Sequence, residues 1–129
     1  LGLIEDLIAP GASVVTIPEN APVSEAVHAL RENGISQVPV VNSDGKPIGI
    51  IHEVDVLRGL HGNSIAMNTP AKDIMNPIGG LLHPKARVEE LYGIFETDHV
   101  AIVIDGADIK GVVSKIDLIE HLGKINSKS

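Results

Sequence analysis

The most constraining feature of this sequence is a short corner that is written twice. Gly111-Val112-Val113-Ser114-Lys115-Ile116-Asp117 repeats Gly49-Ile50-Ile51-His52-Glu53-Val54-Asp55, with glycine and aspartate each displaced by 62 residues (111 − 49 and 117 − 55). Glycine followed by β-branched residues reads as a buried strand, and a polar residue with Asp three places on reads as a helix start. A Ser at the N-cap offers its oxygen to an unpaired backbone N–H, and Asp in the first turn suits the positive end of the helix dipole. One such corner is only a capping pattern; two at a fixed spacing make a repeat.

The rest of the chain falls into the same two copies. Apolar residues at 3, 4, 7 and 8 predict a short amphipathic helix, which Pro10, Gly11 and Ala12 break. Val14 to Ile17 predicts a strand stopped by Pro18. Val23, Ala26, Val27 and Leu30 give the stripe of a helix that Asn33-Gly34 ends. Val38, Val40 and Val41 predict a strand, Ser43-Asp44-Gly45-Lys46 a turn, and Ile48 to Ile51 the return strand into a helix from Glu53 to Leu60. After a polar connector the order starts again: Asp73-Ile74-Met75 echoes Asp6-Leu7-Ile8, and Pro84 echoes Pro18. Val88, Leu91, Tyr92 and Phe95 form the second stripe. His99 to Val103 stands 62 residues after Gln37 to Val41 (99 − 37), Asp105-Gly106 is the second turn, and the last helix runs from Lys115 to Leu122, closed by Gly123. The expected division is repeat 1 over 4–60, a connector over 61–70, repeat 2 over 71–122, and a frayed tail over 123–129. Each copy is strand, helix, strand, strand, helix. Neither can bury its sheet alone, so a mixed α/β (α+β) fold with the copies packed about a pseudo-twofold axis is expected.

Composition excludes several functions. Tyr92 and Phe95 are the only aromatic residues, and the net charge is −7, so neither base stacking nor phosphate attraction favours a nucleic-acid partner. No apolar run has the length of a membrane span, and the opening residues do not resemble a signal peptide, which makes a cytoplasmic protein the expectation. The abrupt start without Met reads as a piece cut from a longer chain. There is no Cys, hence no disulfide, thiolate nucleophile or zinc–thiolate site. The six His lie at 28, 52, 61, 83, 99 and 121, without a helical H-x-x-x-H pair, so no metal centre is expected. No nucleophile elbow or Gly-rich oxyanion loop accompanies the Ser, His and Asp residues, and Gly79-Gly80 is too isolated for a phosphate loop. An enzyme acting alone is not expected.

The order β-α-β-β-α twice over, with Gln37-Val38-Pro39-Val40-Val41 in the first copy and Gly111-Val112-Val113-Ser114-Lys115-Ile116-Asp117 in the second, resembles a pair of CBS domains (a Bateman module). A narrower likeness, carried by residues 33–41, 98–104 and 111–118, is to the C-terminal regulatory region of cystathionine β-synthases.

The resemblance implies clefts built from both copies, each holding an adenosyl compound. The Asp would accept bonds from two ribose hydroxyls, and the adenine would lie between aliphatic side chains with its edge read by main-chain groups. The main cleft would join Ser114, Ile116 and Asp117 to Ala12, Ser13, Val15 and Thr16, with Ile35, Ser36, Gln37, Val38 and Pro39 opposite. A weaker cleft would join His52, Val54 and Asp55 to the region of Met75, with Asp98, His99, Val100 and Ala101 opposite. There His52 replaces the hydroxyl residue, Ala101 replaces the proline, and Asp98 adds a second negative charge. Pro39 also reads as a strand-edge device.

The expected function is therefore regulatory. The module would sense S-adenosylmethionine, which carries no phosphate, in keeping with clefts that lack a Lys/Arg cluster; AMP, ADP or ATP is the alternative ligand. No covalent cofactor is expected. The resemblance further implies an upstream catalytic domain, that of a pyridoxal-phosphate-dependent cystathionine β-synthase, and a homodimer formed through the helices, whose Val54/Leu57 and Ile116/Ile119 stripes exceed the needs of a small core. A dimerisation or autoinhibitory module that binds no ligand is the other reading.

Overall fold

Val38, Pro39 and Val40 are fully buried because the strand that carries them is the middle one of its sheet. The computed structural model describes residues 1–126. Its first sheet is β1 (Ile17–Pro18), β2 (Gln37–Val41) and β3 (Pro47–His52), in that order, with β1 parallel and β3 antiparallel to β2. Helices α1 (Val23–Asn33) and α2 (Glu53–His61) belong to the same repeat. The second copy has β4 (Leu81–Leu82), α3 (Glu90–Ile94), β5 (Val100–Asp105), β6 (Asp108–Ser114) and α4 (Lys115–Asn126), with the same order and directions in its sheet. Strand, helix, strand, strand, helix is thus realised twice.

Local chemistry explains the boundaries. Gly34 adopts a left-handed conformation (φ 59°) and caps α1, as Asn33-Gly34 requires. Asn42 Oδ1 accepts the N–H groups of Asp44 and Lys46 at 3.0 Å, closing the first hairpin turn. The connector is not loose: the carbonyls of Thr69 and Met67 accept the N–H groups of Val23 and Ser24 at 2.8 and 2.9 Å, satisfying two of the unpaired donors at the start of α1.

The compact units cut across the sequence repeats. One unit is residues 15–77 and the other combines 1–14 with 78–129. The 3₁₀ turn Ile4–Leu7 therefore joins the second copy's core, where Ile4 is fully buried with Val88, Leu91, Ala101, Val103 and Val113. Its N–H bonds the Ala86 carbonyl at 2.9 Å, and Lys85 Nζ donates to Glu5 Oε1 at 2.7 Å, which holds the ammonium above its usual pKa. In the same way the turn Ala71–Asp73 closes the first copy's core, with the Ala71 N–H on the Ala21 carbonyl at 2.7 Å. Two glycines admit these segments. A Cβ on Gly49 would stand 2.5–2.9 Å from Met75, and one on Gly111 would stand 2.9 Å from Ile8. This is what the glycine of each corner does.

Several expectations need correction. The opening helix is a single 3₁₀ turn, Ile4–Leu7. The second stripe helix is short, Glu90–Ile94, because Tyr92, Gly93, Ile94, Phe95 and Thr97 are weak helix formers. Leu91 and Ile94 face the core while Tyr92 is 46% exposed. Helix α4 passes through Gly123 to Asn126, since one helical glycine costs only about 1 kcal/mol; the remainder of the expected frayed tail, 127–129, lies outside the described residues.

The ladders also shift the alignment of the copies. Gln37 pairs with His52 and Val100 with Ser114, so Gln37 corresponds to Val100, not His99, and Pro39 to Ile102, not Ala101. The second copy has one residue more ahead of β5 and one fewer in its hairpin turn, which hides the slip in a 62-residue spacing. The predicted strand Val14–Ile17 is reduced to Ile17–Pro18 for a related reason. In the second copy Ile102 N–H donates to the Gly80 carbonyl at 2.9 Å, ahead of the pair Leu81↔Ile102. Pro39 has no N–H, so pairing in the first copy begins a step later, at Ile17↔Val40. Pro39 is thus a residue of a central strand, not an edge one.

Gly49→Ala should lower the unfolding free energy by about 1–3 kcal/mol through overpacking against Met75. Gly123→Ala, where a Cβ meets nothing within 4 Å, should raise it by about 0.5–1 kcal/mol. Urea denaturation of the two variants beside the parent measures both.

Candidate functional site

The corner at Ser114 is a closed hydrogen-bonded unit. Ser114 ends β6 and stands just before α4, and Asp117 is the third residue of that helix. Asp117 Oδ2 accepts the Ser114 N–H at 2.8 Å and the Ser114 Oγ–H at 2.9 Å. The side chain of the third helical residue thus caps the residue before the helix, half of a capping box. The expected role of the serine is reversed: its hydroxyl donates to the aspartate and does not accept a backbone N–H. One carboxylate oxygen is fixed, and among the described residues no donor meets Oδ1. The carboxylate is oriented and half satisfied, which is what a bidentate acceptor for a diol needs.

The corner at Asp55 is built differently. His52 precedes α2, and the first N–H of the helix, that of Glu53, is taken by the Ser36 carbonyl at 2.9 Å. Asp55 Oδ2 accepts Asn76 Nδ2–H at 2.6 Å, and Asn76 is itself clamped to Ile50 by two backbone bonds of 2.8 and 2.9 Å. Its carboxylate is spent on holding the 71–77 segment against β3. Spacing in the sequence could not reveal this partner, which lies 21 residues away.

The other expected site residues divide between the units. Ala12 and Ser13 share a unit with Ser114, Ile116 and Asp117, and they follow a turn in which the Ala12 N–H bonds the Ala9 carbonyl and Gly11 has φ 73°. Val15, Thr16 and residues 35–39 lie in the other unit, with His52, Val54, Asp55 and Met75. Asp98 to Ala101 belong to the first of these two units. Val38 and Ala101 are core residues, so only their backbone is left for any ligand. Met75 packs on the core through Gly49. Asp98 accepts Thr97 Oγ1–H at 2.9 Å and fills the place that a Cβ on Gly79 would take. Sequence reasoning missed Asn76 as the partner of Asp55 and Ile102 as the counterpart of Pro39. Among the described residues no group of three or more His, Cys, Asp or Glu could hold a metal ion, and no helix is long and apolar enough to cross a membrane.

Comparison with known proteins places this geometry. Residues 4–62 and 71–124 each match the family model of the CBS domain. The chain is 25% identical over 84% of its length to cystathionine beta-synthase of Saccharomyces cerevisiae. It spans 26% of that enzyme's length, and no more than 30% of two other curated relatives that it matches over most of its own length. Among solved structures, the CBS domain pair of protein MJ0100, in complex with 5′-methylthioadenosine and S-adenosyl-L-methionine, superposes with TM-score 0.81 at 22% identity, covering 95% of this chain and 96% of that one. CBSX2 of Arabidopsis thaliana, in complex with AMP, superposes with TM-score 0.78 at 16% identity, covering 98% and 99%. At these identities the superpositions establish the fold.

Proposed function

Because the chain belongs to the CBS domain family, as two tandem copies, we propose that it is a regulatory module that binds an adenosyl compound and controls an attached enzyme. The observation that carries this reading is the Asp117 carboxylate, oriented by Ser114 through Oδ2 and left with an open Oδ1. A ribose offers two adjacent hydroxyl donors, and an ionised carboxylate has acceptor sites for both. The bound ligands of the MJ0100 pair and of CBSX2 support the adenosyl class. S-adenosylmethionine is the preferred ligand, since Lys115 is the one cationic residue of the 111–117 corner, too little for a triphosphate. Likeness to the yeast enzyme supports a cystathionine β-synthase as the attached catalytic part.

A second copy of the chain is the proposed partner of the helices. Leu57 on α2 and Ile119 on α4 are 67% and 61% exposed, with Val54 and Ile116 one turn earlier, so both repeats present the same apolar stripe to solvent. Such matched stripes suit a two-fold contact, in which the same patch serves both partners.

Asp117→Ala should weaken S-adenosylmethionine binding roughly 30- to 1000-fold, the equivalent of about 2–4 kcal/mol for hydrogen bonds to a charged group. Asp55→Ala should change affinity little, because its carboxylate already holds Asn76. Calorimetry on both variants, with S-adenosylmethionine and AMP as titrants, decides; equal and negligible losses would reduce both aspartates to helix-start residues. Sedimentation at about 20 µM, a concentration where modest interfaces persist, should show a dimer that Leu57→Glu with Ile119→Glu converts to monomer. A parent that sediments only as monomer contradicts the proposed partner.

A further inference from the structure

The two sheets differ by one hydrogen bond at the start of their parallel ladders, and the difference leaves one strand edge open and the other shut. In the second copy the Ile102 N–H occupies the Gly80 carbonyl at 2.9 Å. The chain also covers the backbone there. A Cβ on Gly79 would overlap the Asp98 carboxylate, and one on Gly80 would stand 2.6–2.9 Å from Ile94. These two glycines are the landing places of side chains from the loop and helix above them.

The first copy has none of this. Pro39 stands where Ile102 stands and has no N–H to give, so the pairing starts beyond Thr16. Val15 and Thr16 are half-buried, and among the described residues neither their amides nor their carbonyls make a hydrogen bond. Partly buried backbone groups without partners are costly, and an unpaired strand edge is a template for whatever can complete it. An adenine edge matches: its amino group donates and the adjacent ring nitrogen accepts, the same alternation that a strand presents with its C=O and N–H.

We propose that each chain binds one adenine-bearing ligand, its base edge held by the Val15–Thr16 backbone that Pro39 keeps out of the ladder, while Ile102, Ile94 and Asp98 make the second copy close its own edge. Pro39 is then a specificity-determining residue that acts by lacking a donor. The inference rests on the adenosyl reading above and deepens it.

Calorimetry with S-adenosylmethionine and with AMP should give one site per chain. IMP, which presents an acceptor where AMP has its amino donor, should bind at least about tenfold more weakly, a loss of one or two hydrogen bonds. Pro39→Val supplies the missing N–H and should weaken AMP binding by a similar factor while the circular dichroism spectrum is retained. Two ligands per chain, equal affinity for IMP and AMP, or a folded Pro39→Val protein that binds as tightly as the parent overturns the inference and leaves the adenosyl reading in place. If Pro39→Val does not fold, the stoichiometry and the IMP comparison still decide. Failure of S-adenosylmethionine and AMP alike to bind overturns both.

Discussion

The structure depends on a crossing: in each unit a turn from the other repeat is laid across the third strand at a glycine. Met75 reaches β3 over Gly49, and Ile8 reaches β6 over Gly111, at distances that leave no room for a Cβ. The crossings complete the cores. Ile4 and Ala71, each contributed by the turn of the other repeat, are fully buried in the units they enter. A side chain the size of Ile4 contributes about 1.5–3 kcal/mol when fully buried. Neither repeat, cut at its sequence boundary, would keep its core whole. The same crossing holds the candidate site, because Asn76 follows Met75 and ties Asp55 down, whereas residues 9–12 after Ile8 form a turn that leaves Asp117 with an unclaimed oxygen.

Within this shared frame, proline placement separates the copies. Pro39 removes a donor at the start of the first parallel ladder. At its far end Glu19 N–H bonds the Val41 carbonyl at 2.9 Å, whereas the second copy has Pro84 at the corresponding place and no donor to offer. The first ladder therefore loses a bond where the second keeps it, and keeps one where the second loses it. The register moves by one step at little net cost in pairing. The consequence is chemical: backbone donors and acceptors are exposed at Val15 and Thr16 in one copy and consumed at Gly80 in the other.

Much of this was legible in the sequence because it is local. The α1 stripe, the Gly34 cap, the Asn42 turn and the 62-residue displacement of the two corners each follow from residue type and spacing. The family likeness rested on those same residues. What stayed hidden is non-local or compensating. The exchange of opening turns between repeats has no periodicity to betray it. An extra residue before β5 and a missing one in the following turn cancel, so Ala101 took the place that belongs to Ile102. Tyr92 counted as a core residue on spacing alone, but the residues around it could not sustain the helix that the spacing assumed. At Ser114 the polar residue was recognised and its partner was not: the nearby carboxylate outcompeted the backbone for the hydroxyl.

Native-state hydrogen exchange tests the crossing most directly. The Ile4 amide bonds the Ala86 carbonyl, the Val88 amide bonds the Gly2 carbonyl, and the Ala71 and Lys72 amides bond Ala21 and Glu19. If the opening turns are integral to the units they enter, these four amides exchange only with the opening of the β2–β3 and β5–β6 hairpins, at the same free energy as those strands. Exchange of Ile4 and Val88 at the rate of a frayed terminus, with the hairpins still protected, would contradict it.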